Sequence, residues 1–180
     1  MLMGCFNSRS ITGSITPAAA YCLRAICEYV QARVVIEIGT FIGTSALAMA
    51  AAPRVEAIYT CDASNDCLAA DAKVRTFPKQ TSTQMLERLR TLGVRADLCF
   101  FDGVVSATDA ILLRDLTHPW TVYVFDDYEY GPKLRKGVWM TVPRKGIGNV
   151  ALMHPQLPHH RLVKPGVPET MLAVLVPEGL

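Results

Sequence analysis

The run Val34-Val35-Ile36-Glu37-Ile38-Gly39-Thr40-Phe41-Ile42-Gly43-Thr44-Ser45 limits the fold more than any other stretch of the chain. Its first five residues are β-branched and apolar except for the acid at Glu37, the pattern of a strand buried on both faces. Gly39 ends that strand. From Thr44 the composition turns to the helix formers Ala, Leu and Met as far as Ala52, and Pro53 closes the segment. Strand, glycine turn and helix in this order predict a ligand site. The helix start offers backbone N–H groups, and glycine lets a ligand reach the backbone with no Cβ in the way. A second strand, Ala57 to Cys61, is followed by Asp62, 23 positions after Gly39. An acid about 20 residues beyond such a turn is where dinucleotide-binding folds hold a ribose by its hydroxyls.

The glycine spacing separates the candidate cofactors. A dinucleotide pyrophosphate asks for Gly-x-Gly-x-x-Gly, whereas the pattern here is Glu37-x-Gly39-x-x-x-Gly43. A phosphate-binding loop asks for Gly-Lys-Ser/Thr, and Gly43 is followed by Thr44 and Ser45. Both phosphate readings weaken. Acid-x-Gly-x-x-x-Gly after one strand and an acid after the next resembles the cofactor motif of class I S-adenosylmethionine-dependent methyltransferases. The wording IEIGTFIGTSALAMA is similar to the small O-methyltransferases of the catechol, caffeoyl-CoA and macrocin types. The resemblance implies cofactor contacts at Glu37, Gly39, Thr40, Phe41, Gly43 and Ser45, at Asp62 with Ala63, at Ser82, and at Asp102.

Composition bounds the alternatives. A chain of 180 residues fits one domain, able to bury roughly 70% of the surface its unfolded form exposes; residues 1–15 read as a loose tail. Apolar residues make up 51% and charged residues 19%, a balance compatible with a homodimer that hides further surface. No apolar run reaches the ~18 residues of a membrane span. A net charge of +2 is too weak to argue for nucleic acid as the partner. The six cysteines form no C-x-x-C pair and several sit in apolar segments, which fits a reducing cytoplasm.

Read in order, Thr16-Pro17 opens a helix over Pro17 to Gln31, with Tyr21, Cys22, Ile26, Tyr29 and Val30 on its core face. Cys67 to Lys73 reads as a short helix and Val74 to Phe77 as a third strand. Thr83 is a candidate N-cap for a helix from Gln84 to Leu92, with Met85, Leu86, Leu89 and Leu92 inward. Where the resembling enzymes carry Gly-Asp-Ser/Ala against the adenine, this chain has Lys79-Gln80-Thr81-Ser82-Thr83. Ala96 to Gly103 reads as strand four and Ala107 to Leu116 as a helix. His118-Pro119 is a turn into strand five, Trp120 to Tyr128. Lys133 to Val142 is a further helix, carrying part of a basic cluster. His160 to Lys164 and Thr170 to Val176 make a closing hairpin.

The fold expected is α/β, Rossmann-like, a seven-stranded and mostly parallel sheet with a C-terminal antiparallel hairpin. In open α/β sheets ligands bind beyond the carboxyl ends of the strands, so Asp62, Asp102, Asp126 and Asp127 should line one edge. Clustered carboxylates repel, and a divalent cation such as Mg²⁺ relieves them through oxygen ligands. FFDG and VFDDY also resemble the metal-dependent O-methyltransferases, which implies Asp102, Asp126 and Asp127 as metal ligands and Asp102 as the catalytic residue. The residues after it, Gly103-Val104-Val105-Ser106, supply no histidine or lysine base. The expected function is methylation of a hydroxyl on a small-molecule acceptor. Its rivals are a non-catalytic S-adenosylmethionine-binding protein and a nicotinamide-dependent oxidoreductase.

Overall fold

The computed structural model describes residues 14–63, 69–126, 160–163 and 172–178. Among the described residues four helices and seven strands follow one another: α1 Pro17–Tyr29, β1 Val34–Ile38, α2 Thr44–Ala50, β2 Ala57–Asp62, β3 Val74–Pro78, α3 Ser82–Thr91, β4 Ala96–Phe101, α4 Ala107–Asp115, β5 Thr117–Phe125, β6 His160–Val163 and β7 Ala173–Pro177. The strands hydrogen-bond in the order β3-β2-β1-β4-β5-β7-β6. β1 to β5 pair in parallel, and β7 runs antiparallel to both β5 and β6. The α/β, mostly parallel architecture with an antiparallel C-terminal pair agrees with expectation. The connection between β6 and β7 lies outside the described residues.

Because strand side chains alternate between faces, β1 feeds two cores. Val35 joins Ile58, Leu98, Phe100, Val122, Val124 and Val174 under α1 and α2. Ile36 and Ile38 join Cys99, Phe101, Tyr123 and Phe125 under α3 and α4. Both faces are covered, which is why the strand reads as a nearly continuous apolar run. Cys22, Cys27, Cys61 and Cys99 are free thiols inside these cores. Among the described residues no helix is long and apolar enough to cross a membrane.

Several expected boundaries move, each for a local reason. Thr16 caps α1 by accepting from Ala19 N at 3.1 Å, but the helix stops at Tyr29. Gln31 turns left-handed at φ 55°, and Ala32 N donates back to Cys27 O at 3.0 Å, closing a Schellman-type end. The buried face of α1 is Ala19, Ala20, Cys22, Leu23 and Cys27, while Tyr21 and Tyr29 stand 74% and 72% exposed. Small residues let this helix approach the sheet more closely than two tyrosines would allow. The helix expected through Lys73 is not formed over residues 69–73; its first part lies outside the described residues. α3 starts two residues earlier than expected, because Thr81, not Thr83, caps it in a reciprocal box with Gln84. Leu92 follows the helix end and is exposed. β5 begins at Thr117, so His118-Pro119 is a bulge within a strand, not a turn before one. The register jumps between Ala96↔Thr117 and Leu98↔Val122, and Thr121 Oγ1 bridges the gap by accepting from His118 N and donating to Ala96 O.

Candidate functional site

Strand order and register build the site. Ile38 is paired with Cys61 on one side and Phe101 on the other, and Phe101 is paired with Phe125. The next residue on each of these strands therefore falls in one row across the carboxyl edge: Asp62, Gly39, Asp102, Asp126. Adjacent strands lie about 4.8 Å apart, so three carboxyl-bearing residues flank a single glycine within about three strand spacings. From β1 the chain builds outward through β2 to β3 and then crosses back to lay β4 on the other side of β1, and this reversal is where open α/β sheets form a crevice.

Gly39 is required at its place in the row. Its φ is +100°, and a Cβ there would lie 2.6 Å from Gly103 N and 2.7 Å from the Asp102 carbonyl carbon. Gly103 answers it, since a Cβ on that residue would lie 3.1 Å from Ile38 Cγ2 and 3.3 Å from Gly39 Cα. The ends of β1 and β4 thus touch backbone to backbone. Beyond Gly39 the loop is held down at several points: Gly39 N and Thr40 N both donate to Cys61 O at 3.0 Å, and Gly43 N donates to Thr40 O at 2.8 Å. Phe41 N donates to Asp62 Oδ2 at 2.8 Å, so the acid after β2 grips the loop after β1. Phe41 itself is left-handed at φ 46°, and Gly43 at φ 91° leads into α2.

Glu37 lies on the inner side of this loop. It is wholly buried, with one carboxylate oxygen accepting from Ser45 Oγ and the other from Thr60 Oγ1; Thr60 is also hydrogen-bonded to Thr40. Burial raises its pKa to about 7, the Ser45 and Thr60 hydroxyls pull it down, and the neighbouring carboxylates of Asp102 and Asp62 add to the rise. Glu37 and Ser45 therefore brace the loop from behind. Thr40 is likewise buried, whereas Phe41 and Asp62 are half-buried and Ala63 is exposed at the edge.

Ser82 is also committed within the protein. Its hydroxyl donates to Asp109 Oδ2 at 2.8 Å, Thr83 Oγ1 donates to Asp109 Oδ1 at 2.6 Å, and Ser106 N donates to Asp109 Oδ2 at 2.8 Å. The buried Asp109 so ties the first turns of α3 and α4 together below the edge. Sequence reasoning passed over Asp109 and Thr60. The signals were there: Ser106-x-x-Asp109 is a capping-box spacing, and Thr60 is the one polar residue between Ala57 and Cys61, directly paired with Glu37.

Asp102 is half-buried and Asp126 nearly buried. Asp102 N donates to Ile38 O at 2.9 Å and Asp126 N to Phe101 O at 3.0 Å, which continues the ladder through the row of acids. Asp127 lies outside the described residues. Among the described residues no cluster of three or more His, Cys, Asp or Glu side chains is arranged to hold a metal ion; Asp102 and Asp126 follow the paired residues Phe101 and Phe125 on adjacent strands.

No protein-family profile and no curated protein matches the chain. Solved structures do. An O-methyltransferase from Bacillus cereus, crystallised with SAH, superposes with a TM-score of 0.62 over 92% of this chain and 83% of its own, at 14% identity. TomG, an O-methyltransferase from Streptomyces achromogenes involved in tomaymycin synthesis and solved with SAM, gives 0.62 over 92% and 82% at 20% identity. An SAH-bound methyltransferase from Podospora anserina gives 0.62 over 92% and 80% at 16% identity. The chain has the fold of these methyltransferases over nearly its whole described length.

Proposed function

We propose that the chain is a single-domain methyltransferase that uses S-adenosylmethionine to methylate a hydroxyl of a small molecule. The observation that carries this reading is the row Asp62, Gly39, Asp102, Asp126 at the switch point of the sheet. Solved structures of the same fold that hold SAM or SAH support it. The residues suit a nucleoside ligand. Asp62 presents a half-buried carboxylate at the height of the loop, the Phe41 backbone is fixed against it, and Gly39 leaves the crevice open. In this reading Asp62 binds the ribose hydroxyls and Ala63 borders them. Gly39, Thr40, Phe41 and Gly43 shape the backbone under the methionine end. Ser82 is spent on Asp109 and Thr81 on Gln84, so recognition of adenine from this loop passes to Gln80.

Bound S-adenosylmethionine supplies an electrophilic methyl on a sulfonium sulfur. A divalent cation, which Asp102, Asp126 and Asp127 would hold with water completing the shell, supplies a Lewis acid that lowers the pKa of the acceptor hydroxyl. Asp102 sits beside Gly39, at the centre of the row, and orients the acceptor toward the cofactor. With no histidine or lysine in Gly103-Val104-Val105-Ser106, the hydroxyl proton leaves to Asp102 or to solvent.

Incubation with isotopically labelled S-adenosylmethionine and a panel of phenols, catechols and sugar hydroxyls, with Mg²⁺ or with chelator, tests the reading. Label should pass to an acceptor oxygen and fall at least about 100-fold in Asp102→Ala or on chelation. Turnover that ignores the chelator would remove the metal from the account, and transfer to nitrogen would remove the hydroxyl.

A further inference from the structure

Glu37 is a buried carboxylate that the chemistry above leaves without a task. It precedes Gly39 by two residues, about 7 Å along the strand, and lies directly beneath the turn. Both of its oxygens are on neutral hydroxyls, Ser45 from α2 and Thr60 from β2. The ion pairs among the described residues are Arg24 with Glu28, Arg33 with Glu56 and Arg90 with Asp115, none of which involves Glu37. The titratable groups acting on it are Asp62 on β2 and Asp102 on β4, both acidic, with the Cys61 thiol close by. When Glu37 is ionised, the ground under Gly39 is therefore negative and enclosed in protein.

We propose that Glu37 is a charge-selective positioning residue, whose carboxylate beneath the glycine turn makes the site favour cationic S-adenosylmethionine over neutral S-adenosylhomocysteine. This rests on the reading of the crevice as an S-adenosylmethionine site. Methyl transfer breaks the carbon–sulfur bond, leaves its electron pair on sulfur, and forms a carbon–oxygen bond from an acceptor lone pair while the hydroxyl proton departs. The sulfonium thus becomes an uncharged thioether, and substrate and product differ at the one atom whose charge the buried carboxylate senses. A cation about 8 Å from it, at an effective dielectric of about 20 to 40, gains on the order of five- to thirtyfold in affinity.

The coupling runs both ways. In the free protein burial holds Glu37 at a pKa of about 7, and a cation above it favours the ionised form. Binding of S-adenosylmethionine near neutral pH then releases a proton that binding of S-adenosylhomocysteine does not. The affinity of the uncharged product stays level while that of S-adenosylmethionine rises with pH.

Calorimetric titration of the full chain with each ligand, from about pH 6 to about pH 8.5 and in two buffers of different ionisation enthalpy, tests the proposal. The ratio of Kd for S-adenosylhomocysteine to Kd for S-adenosylmethionine should rise about tenfold across that range, with proton release specific to the sulfonium ligand. Glu37→Gln keeps a hydrogen-bonding group of the same shape and should flatten the extra rise. Titration of the ligands' own amino groups persists in the variant and is subtracted by it. If the variant does not fold, proton release by the unaltered protein in the two buffers decides, after subtraction of the amino-group contribution obtained by titrating each free ligand. Equal proton release for the two ligands, or a rise unchanged in Glu37→Gln, would overturn the proposal while leaving the cofactor site standing. Failure of both ligands to bind would overturn the site and the proposal together.

Discussion

Gly39 stands among three acids because its neighbours leave no room for a side chain. The prediction at this residue is direct: Gly39→Ala must bear both an unfavourable φ of +100° and a contact of 2.6 Å with backbone. It should cost about 2–4 kcal/mol in urea unfolding and should abolish ligand binding even where the variant stays folded. Asp62→Ala should lower cofactor affinity at least about tenfold, since it removes the proposed ribose ligand together with the acceptor that holds Phe41 N. Glu37 makes a prediction about stability. Its folded pKa of about 7 is above the ordinary 4.5, so Glu37 brings no penalty below the unfolded value. As pH rises from there toward 7 the unfolded chain gives up its proton first, stability falls, and above about 7 the penalty is complete. Denaturation of the unaltered protein and of Glu37→Gln at several pH values should show the difference between them shifting by about 3 kcal/mol in favour of the variant from pH 4.5 to pH 8. The glycine and the acids of the row were legible in the sequence because Gly39, Asp62, Asp102 and Asp126 each directly follow an apolar strand run. The inward direction of Glu37 was not, since an acid before a glycine turn reads the same whether it faces ligand or core. Only the hydroxyls of Ser45 and Thr60, brought from two other elements, decide it.

The elements followed from periodicity wherever a segment was strongly patterned, and their ends followed less well. β1, α2, β2 and β4 fall within a residue or two of the places read from the apolar runs and the glycines. α1 ends early because a glutamine took the left-handed position that glycine usually marks, and no composition signal announces that. α3 begins at a threonine cap two residues earlier because Thr81 and Thr83 compete for the same role, and the side chain of Gln84 selects Thr81. Thr83 is instead drawn to Asp109, a contact between elements 26 residues apart in sequence. That contact carries the prediction at this scale. Asp109→Ala leaves Ser82, Thr83 and Ser106 without their shared acceptor and should cost about 3 kcal/mol in chemical denaturation, against about 1 kcal/mol for Ser82→Ala. Should the two substitutions cost the same, Asp109 would not be the joint between α3 and α4.

At the scale of the whole molecule, strand order is what turns scattered residues into a site. Asp62, Gly39, Asp102 and Asp126 are spread over 88 positions of the chain, and they share a row because β1 lies between β2 and β4 with β5 next. The sequence foretold that the second, fourth and fifth strands would end in an acid, and the rule for open parallel sheets placed those ends on one edge. Register lay beyond it, because backbone pairing and the bulge at His118 to Thr121 fix how far β5 slides along β4. The central claim is that this row and its loop form an S-adenosylmethionine site. Calorimetric titration with S-adenosylhomocysteine, with NAD as control, on the unaltered protein and on Asp62→Ala, tests it most directly. The account predicts saturable binding of S-adenosylhomocysteine, loss of that binding in the folded Asp62→Ala variant, and no binding of NAD. Absence of binding by well-folded protein, or binding of NAD in its place, would contradict it.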